Sequence, residues 1–127
     1  MGELAGEWAN RVEAIEAGYE YMLAYAAQGR EKEPEGASSQ IRDYLGKLSA
    51  ALEGLAEEGG RVAEEKELKD YQDYLTAVDF DAARAKAGIQ LVLAQTAISS
   101  QLVDNLNASI HLRALLTDMF LFDEVLK

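Results

Sequence analysis

His111 is the only histidine in the chain, and the residues around it raise the first question of chemistry. On one continuous helix, Ser100, Asp104, Asn107, His111 and Asp118 share a face, with steps of four, three, four and seven. Histidine titrates near neutral pH, so such a stripe suits a proton-handling or ligand-binding pocket. It equally suits polar groups that satisfy one another in a bundle or at an interface. Ser100, Asp104, Asn107 and His111 are the candidate ligand-binding residues of this stripe. Tyr21 and Tyr25 join them: they stand four apart on one helical face, and a tyrosine combines an apolar ring with a wet hydroxyl.

Other chemistries find little support. Asp104 and His111 lie about 10 Å apart along a helix axis, too far to share one metal ion. Asn107 and His111 have ligand spacing, but asparagine is a weak ligand. A ferritin-like di-metal centre needs Glu-x-x-His motifs, and Ala108 stands three places before His111. The absence of cysteine excludes disulfides, thiolate metal sites and cysteine nucleophiles. No serine stands in a Gly-x-Ser-x-Gly turn. Gly59-Gly60 lacks the lysine and hydroxyl residue of a phosphate loop. No catalytic residue, metal ligand or cofactor is assigned, and a non-enzymatic role is the expectation.

In size, acidity and helical class the chain resembles histidine phosphotransfer domains. That resemblance implies a phosphate-accepting histidine on a helix in the body of a bundle, followed by a lysine and a small residue. Here the run is His111-Leu112-Arg113-Ala114 and falls late in the chain, which departs from the family pattern.

The elements that must position these residues are helical. Nearly half of the 127 residues are apolar (49%), enough for one packed core, and strong helix formers dominate. The spacing predicts an all-α bundle of four or five helices, mostly antiparallel, in a single domain. The helices fall at about 3–28, 38–58, 61–77, 80–105 and 107–126. The first carries Leu4, Trp8, Val12, Ile15, Tyr19, Met22 and Ala26 on one face, and Gly29 is its candidate left-handed stop. A flexible acidic loop over 30–37 holds the only proline. Ser38 or Ser39 caps the second helix, which carries Ile41, Leu45, Leu48, Leu52 and Leu55 and ends at Gly59-Gly60. Leu68, Tyr71, Leu75 and Val78 form a sparse third line, and Asp79 is the candidate cap of the fourth helix.

Residues 89–127 contain neither glycine nor proline. Unbroken from residue 80 onward, this segment would form a helix roughly 70 Å long, against a globule about 30–40 Å across. A break near 104–108, at Asn105 or Asn107, is therefore expected. Leu112, Leu115, Leu116, Met119, Phe120 and Phe122 turn apolar groups in nearly every direction, more than a small monomer easily covers. They are the candidate interface residues, and the expected partner is a second copy in a homodimer, with another protein as a further partner.

Charge narrows the partners. The 23 acidic residues outnumber the 12 basic ones, for a net charge of −11. Such a surface disfavours nucleic acid and anionic membrane. Gln90, Gln95, Thr96, Ser99, Ser100 and Gln101 make the longest uncharged run too polar for a membrane span. No secretion signal is visible at the start, so a cytoplasmic setting is expected. The best-supported role is protein–protein interaction and self-association. A small-molecule site or enzyme centred on Asp104, Asn107 and His111 is the alternative.

Overall fold

In the computed structural model the helix-forming sequence resolves into six helices: α1 (Gly2–Ala26), α2 (Gln40–Leu52), α3 (Leu55–Glu65), α4 (Gln72–Leu93), α5 (Ser100–Ala108) and α6 (Ile110–Leu126). The structure describes residues 2–33 and 40–127, with side chains from residue 6 onward. Pro34, the candidate caps Ser38 and Ser39, most of the 30–37 loop and the Leu4 side chain lie outside the described residues. No strand occurs among the described residues. The fold is an all-α helical bundle, with six helices where the spacing suggested four or five.

Two helices act as hubs. The α1 helix packs on α2, α3 and α5, while α4 packs on α2, α3, α5 and α6. The buried face of α1 is Trp8, Val12, Ile15, Met22 and Tyr25. Gly18 lies on that face because a Cβ there would stand 3.3 Å from the Cβ of Leu48 on α2. The chain leaves α1 through Gly29, whose φ of 66° is the left-handed stop that its type permits. On α2, Ile41, Leu45, Leu48 and Leu52 are all buried. Leu55 continues their line but belongs to α3, across a left-handed Gly54 (φ 72°).

Three boundaries differ from the sequence expectation. Gly59 and Gly60 do not end a helix; they lie inside α3. A Cβ at Gly59 would stand 3.2 Å from both Phe122 and Trp8 and 3.3 Å from Leu75. The glycine is there for close packing. The actual end of α3 uses Glu67 at φ 57°, with the Leu68 N–H donating to the Ala63 carbonyl and the Glu67 N–H to the Glu64 carbonyl. This is a Schellman stop with a glutamate in the usual glycine position.

The second difference concerns Asp79, which is not a cap but sits mid-helix in α4. Leu75, Val78, Ala82, Ala85, Ile89 and Val92 form one uninterrupted buried face across it, with steps of three and four. The third difference is a break at 94–99, inside the expected 80–105 helix. A second break falls at Ser109 (φ −57°, ψ 128°), just past the expected 104–108.

The last helix, α6, is two-faced. Leu112, Leu115, Leu116, Met119, Phe122 and Leu126 are buried in the chain's own core. Ile110, Leu121 and Val125 stand exposed on the other side. Trp8 ties α1 to this helix: its ring meets Phe122 edge-on at 5.6 Å, and its indole N–H donates to Asp123 at 2.9 Å.

The glycine pair gives a direct test of this packing. Gly60→Ala should stabilise the fold by about 0.5–1 kcal/mol, since helix propensity improves and the new methyl meets Leu75 at an ordinary 3.5 Å. Gly59→Ala should destabilise by about 1–2 kcal/mol, because overpacking against three side chains outweighs the propensity gain. Urea denaturation of both variants measures the opposite signs.

Candidate functional site

The candidate polar residues do not form one stripe. The break at Ser109 places Ser100, Asp104 and Asn107 on α5 and His111 and Asp118 on α6. Asp104 and His111 are exposed. Asn107 is buried, and neither its side-chain nitrogen nor its oxygen has a hydrogen-bond partner among the described residues. The face that a continuous helix would have built is not present.

Ser100 and Tyr25, by contrast, do come together. The Tyr25 hydroxyl donates to the Ile98 carbonyl at 2.7 Å, and the Ser100 hydroxyl donates to the Tyr25 carbonyl at 2.7 Å. The Arg30 N–H donates to the Ser100 hydroxyl, and the Ser100 N–H donates to the Arg30 carbonyl, both at 2.8 Å. All polar atoms of this cluster that point inward are matched by backbone. Burial, followed by the Glu33 carboxylate, raises the Tyr25 hydroxyl above its ordinary pKa. The cluster sews the end of α1 to the start of α5. Tyr21 packs beside it, stacked on Tyr44 at 4.3 Å with its hydroxyl donating to Gln40 at 3.2 Å.

A neighbouring arginine completes the seam. Arg42 of α2 donates to the Leu93, Gln95 and Thr96 carbonyls at 2.9, 2.7 and 3.3 Å. It also pairs with the Glu33 carboxylate at 2.9 Å. The other Glu33 oxygen accepts the Ile98 N–H at 3.1 Å. No basic residue stands in the last turn of α4; Ala94 and Gln95 cover the Gln90, Leu91 and Val92 carbonyls, and Arg42 from another helix covers Leu93. Arg11 of α1 serves α2 the same way, donating to the Ala51 and Glu53 carbonyls.

Two further features were not singled out from sequence. The first is a carboxyl pair at the α4–α6 contact. Burial, then a hydrogen bond and the charge of Asp81, push Asp118 up to about 7 from its ordinary 3.8. One Asp118 oxygen is buried with no donor among the described residues. The Tyr74 hydroxyl donates to the Asp118 carbonyl at 3.0 Å, and burial raises its pKa as well. The partnership joins residues 37 positions apart on two helices, and no local pattern encodes it.

The second is an apolar cleft between the 66–71 connection and the C-terminal half of α6. Leu68, Lys69, Asp70, Tyr71, Tyr74, Leu121, Phe122 and Val125 line a volume of about 260 Å³. Leu68 and Tyr71 belong to the sparse line seen in the sequence, which here reads as a cleft wall.

The candidate interface residues divide sharply. Leu112, Leu115, Leu116, Met119 and Phe122 are in the chain's own core, so in this fold they are not offered to a partner; the chain covers them with α4 and its neighbours. Phe120 alone remains exposed, at 46%. For the other five, what does the burying is intramolecular.

Among the described residues no three His, Asp or Glu side chains converge in a way that could hold a metal ion. No helix among them is long and apolar enough to cross a membrane. No family model matches the chain, and neither a curated protein nor a solved structure matches it.

Two measurements test the seam and the carboxyl pair. Arg42→Ala strands Glu33 and three carbonyls, and should cost about 2–3 kcal/mol in urea denaturation. Arg42→Lys should recover only part of this, because one ammonium cannot span four acceptors. Asp118 binds its proton more tightly folded than unfolded. Its contribution is therefore fully present below about pH 4 and is lost as pH rises through about 7. Asp118→Asn should flatten this part of the Tm-against-pH curve, leaving the variant the more stable above pH 7. Parallel curves for both proteins would refute the raised Asp118 pKa.

Proposed function

We propose that this chain is a non-enzymatic helical-bundle protein of the cytoplasm that acts by protein–protein interaction, pairing with a second copy through the outward face of α6. The observation that carries the reading is an uncharged line along that face. Ile110, Ala114, Thr117, Leu121 and Val125 follow one another at steps of four, three, four and four. Ile110 is 74% exposed, Leu121 54% and Val125 53%. They lie opposite the buried Leu112, Leu115 and Met119. A protein of net charge −11 repels its own copies, so a face free of charge is where two copies can meet at least cost.

Charge at the edges favours a second copy over an unrelated partner. Arg113 and Glu124 flank the line on the same side, near its opposite ends. In an antiparallel two-fold pairing centred near Thr117, Ile110 of one copy meets Val125 of the other, and Ala114 meets Leu121. Each small or branched group then faces a larger one. Arg113 of one copy comes beside Glu124 of the other, twice by symmetry. The absence of cysteine suits a reducing compartment.

Sedimentation velocity over a micromolar range is the test. The wild-type chain should shift from monomer to dimer below about 100 µM. Ile110→Glu or Leu121→Glu should raise the dissociation constant about tenfold or more, with unchanged helical circular dichroism. Arg113→Glu should weaken pairing, and the Arg113→Glu/Glu124→Arg double variant should restore it. A wild-type chain that stays monomeric throughout removes the proposal.

A further inference from the structure

We propose that the cleft beside the C-terminal half of α6 is a binding site for a small uncharged aromatic molecule carrying one hydrogen-bonding group. The site is complete in the single chain, though Leu121 and Val125 at its mouth also belong to the outward face of α6. Its floor is Phe122, which is buried, and its walls are the half-buried Leu68, Tyr71 and Tyr74. Leu121 and Val125 stand at the mouth.

Size selects the occupant. An apolar cavity of about 150 Å³ accepts benzene, and pockets for drug-sized ligands begin near 300 Å³. At about 260 Å³, the cleft fits a single ring with a substituent of a few atoms. Shape points the same way. The Tyr74 and Phe122 rings are nearly parallel, at 13° and 6.2 Å between centroids, so the lining is itself aromatic and suits another ring. The Tyr74 hydroxyl is tied to the Asp118 carbonyl, so this wall offers no free polar group from Tyr74.

Polarity sets the rest. Tyr71 has no hydrogen-bond partner for its hydroxyl among the described residues; it is the polar handle of the lining. Lys69 and Asp70 at the lip contribute one charge of each sign, so an ion gains no net attraction there. A charged ligand would lose hydration against an apolar wall without a buried counter-charge. The lip is also held in an uncommon conformation. Glu67 and Asp70 have φ of 57° and 58°, and non-glycine residues keep such angles only where the surroundings fix them. Between those two points the chain presents Leu68 and, just beyond, Tyr71 to the cleft.

The reporter is built in. Trp8 is the only tryptophan and touches the Phe122 ring that floors the cleft. The test titrates the full chain carrying Ile110→Glu, a change outside the cleft, so the outcome is independent of whether copies pair. The probes are 4-ethylphenol, ethylbenzene and 4-ethylbenzoate. Amide chemical shifts and Trp8 emission are the readouts. Expected is saturable binding of 4-ethylphenol at about 1 mM or tighter, with shifts confined to 68–74 and 121–125. The benzoate should bind about tenfold more weakly. Tyr71→Phe should weaken 4-ethylphenol about threefold or more and leave ethylbenzene unchanged. Val125→Trp, which fills the mouth, should abolish binding while the fold persists. Absence of saturation, equal affinity for the benzoate, or binding unaffected by Val125→Trp would each overturn the site.

Discussion

The free carbonyls at the ends of helices are the constraint on which this bundle depends. An α-helix leaves its last carbonyls without internal donors, and neither α2 nor α4 has a basic residue in its last turn. At each end an arginine from a different helix reaches a carbonyl of the last turn, beside the bonds that the following residues make locally. Arg11 reaches from α1 to the end of α2, and Arg42 reaches from α2 to the end of α4. A guanidinium presents five donors in a fixed fork, so one side chain can serve several acceptors in different directions. The result is that the α4–α5 turn, which has no regular hydrogen-bond ladder of its own, is fixed from outside. Glu33, Tyr25 and Ser100 then lock the same turn from the α1 side.

Packing follows from a second constraint, the room that large side chains need. Gly18 and Gly59 give up helix propensity so that Leu48, and the group formed by Trp8, Phe122 and Leu75, can come close. That group links α1, α4 and α6, with Trp8 against Phe122 and Phe122 against Tyr74. It anchors the inner face of α6 so firmly in the core that the outer face is left as a separate surface. The cleft lined by Tyr71 and Tyr74 opens at the edge of the same aromatic group. Core and outward face are thus opposite sides of one helix, and the cleft lies where they meet, sharing Phe122 with the one and Leu121 and Val125 with the other.

How much of this was legible depends on whether a signal is local. The buried lines of α1 and α2 could be read directly, because Trp8, Val12, Ile15 and Met22, and Ile41, Leu45 and Leu48, recur at helical spacing. Gly29 was legible because a left-handed stop has its own residue preference. Gly59-Gly60 misled because the same residue type marks both a helix end and a close contact. Asp79 misled because a cap and an exposed mid-helix aspartate look alike. The break at 94–99 had a local trace in Ser99, which caps α5 by accepting the Leu102 N–H at 3.0 Å. Its remaining partners are distant: Arg42, some fifty residues earlier in the chain, holds the Leu93, Gln95 and Thr96 carbonyls. The candidate site fared likewise. Ser100 and Tyr25 were worth naming, but their hydroxyls face backbone partners seventy or more positions away.

The sequence by itself determined that the chain is helical, that it is acidic, and that its C-terminal segment must bury a great deal of apolar surface. Periodicity, charge and composition are properties of neighbouring residues, and they survive without knowledge of the fold. Only the tertiary structure decided what performs the burial. It turned five of the candidate interface residues, Leu112, Leu115, Leu116, Met119 and Phe122, into the chain's own core. It left Ile110, Leu121 and Val125 outside, divided the His111 stripe at Ser109, and paired Asp81 with Asp118. Each of these depends on which distant helix packs against which face. Helical spacing shows that a residue has a face; the helix packed against it decides what that face is for.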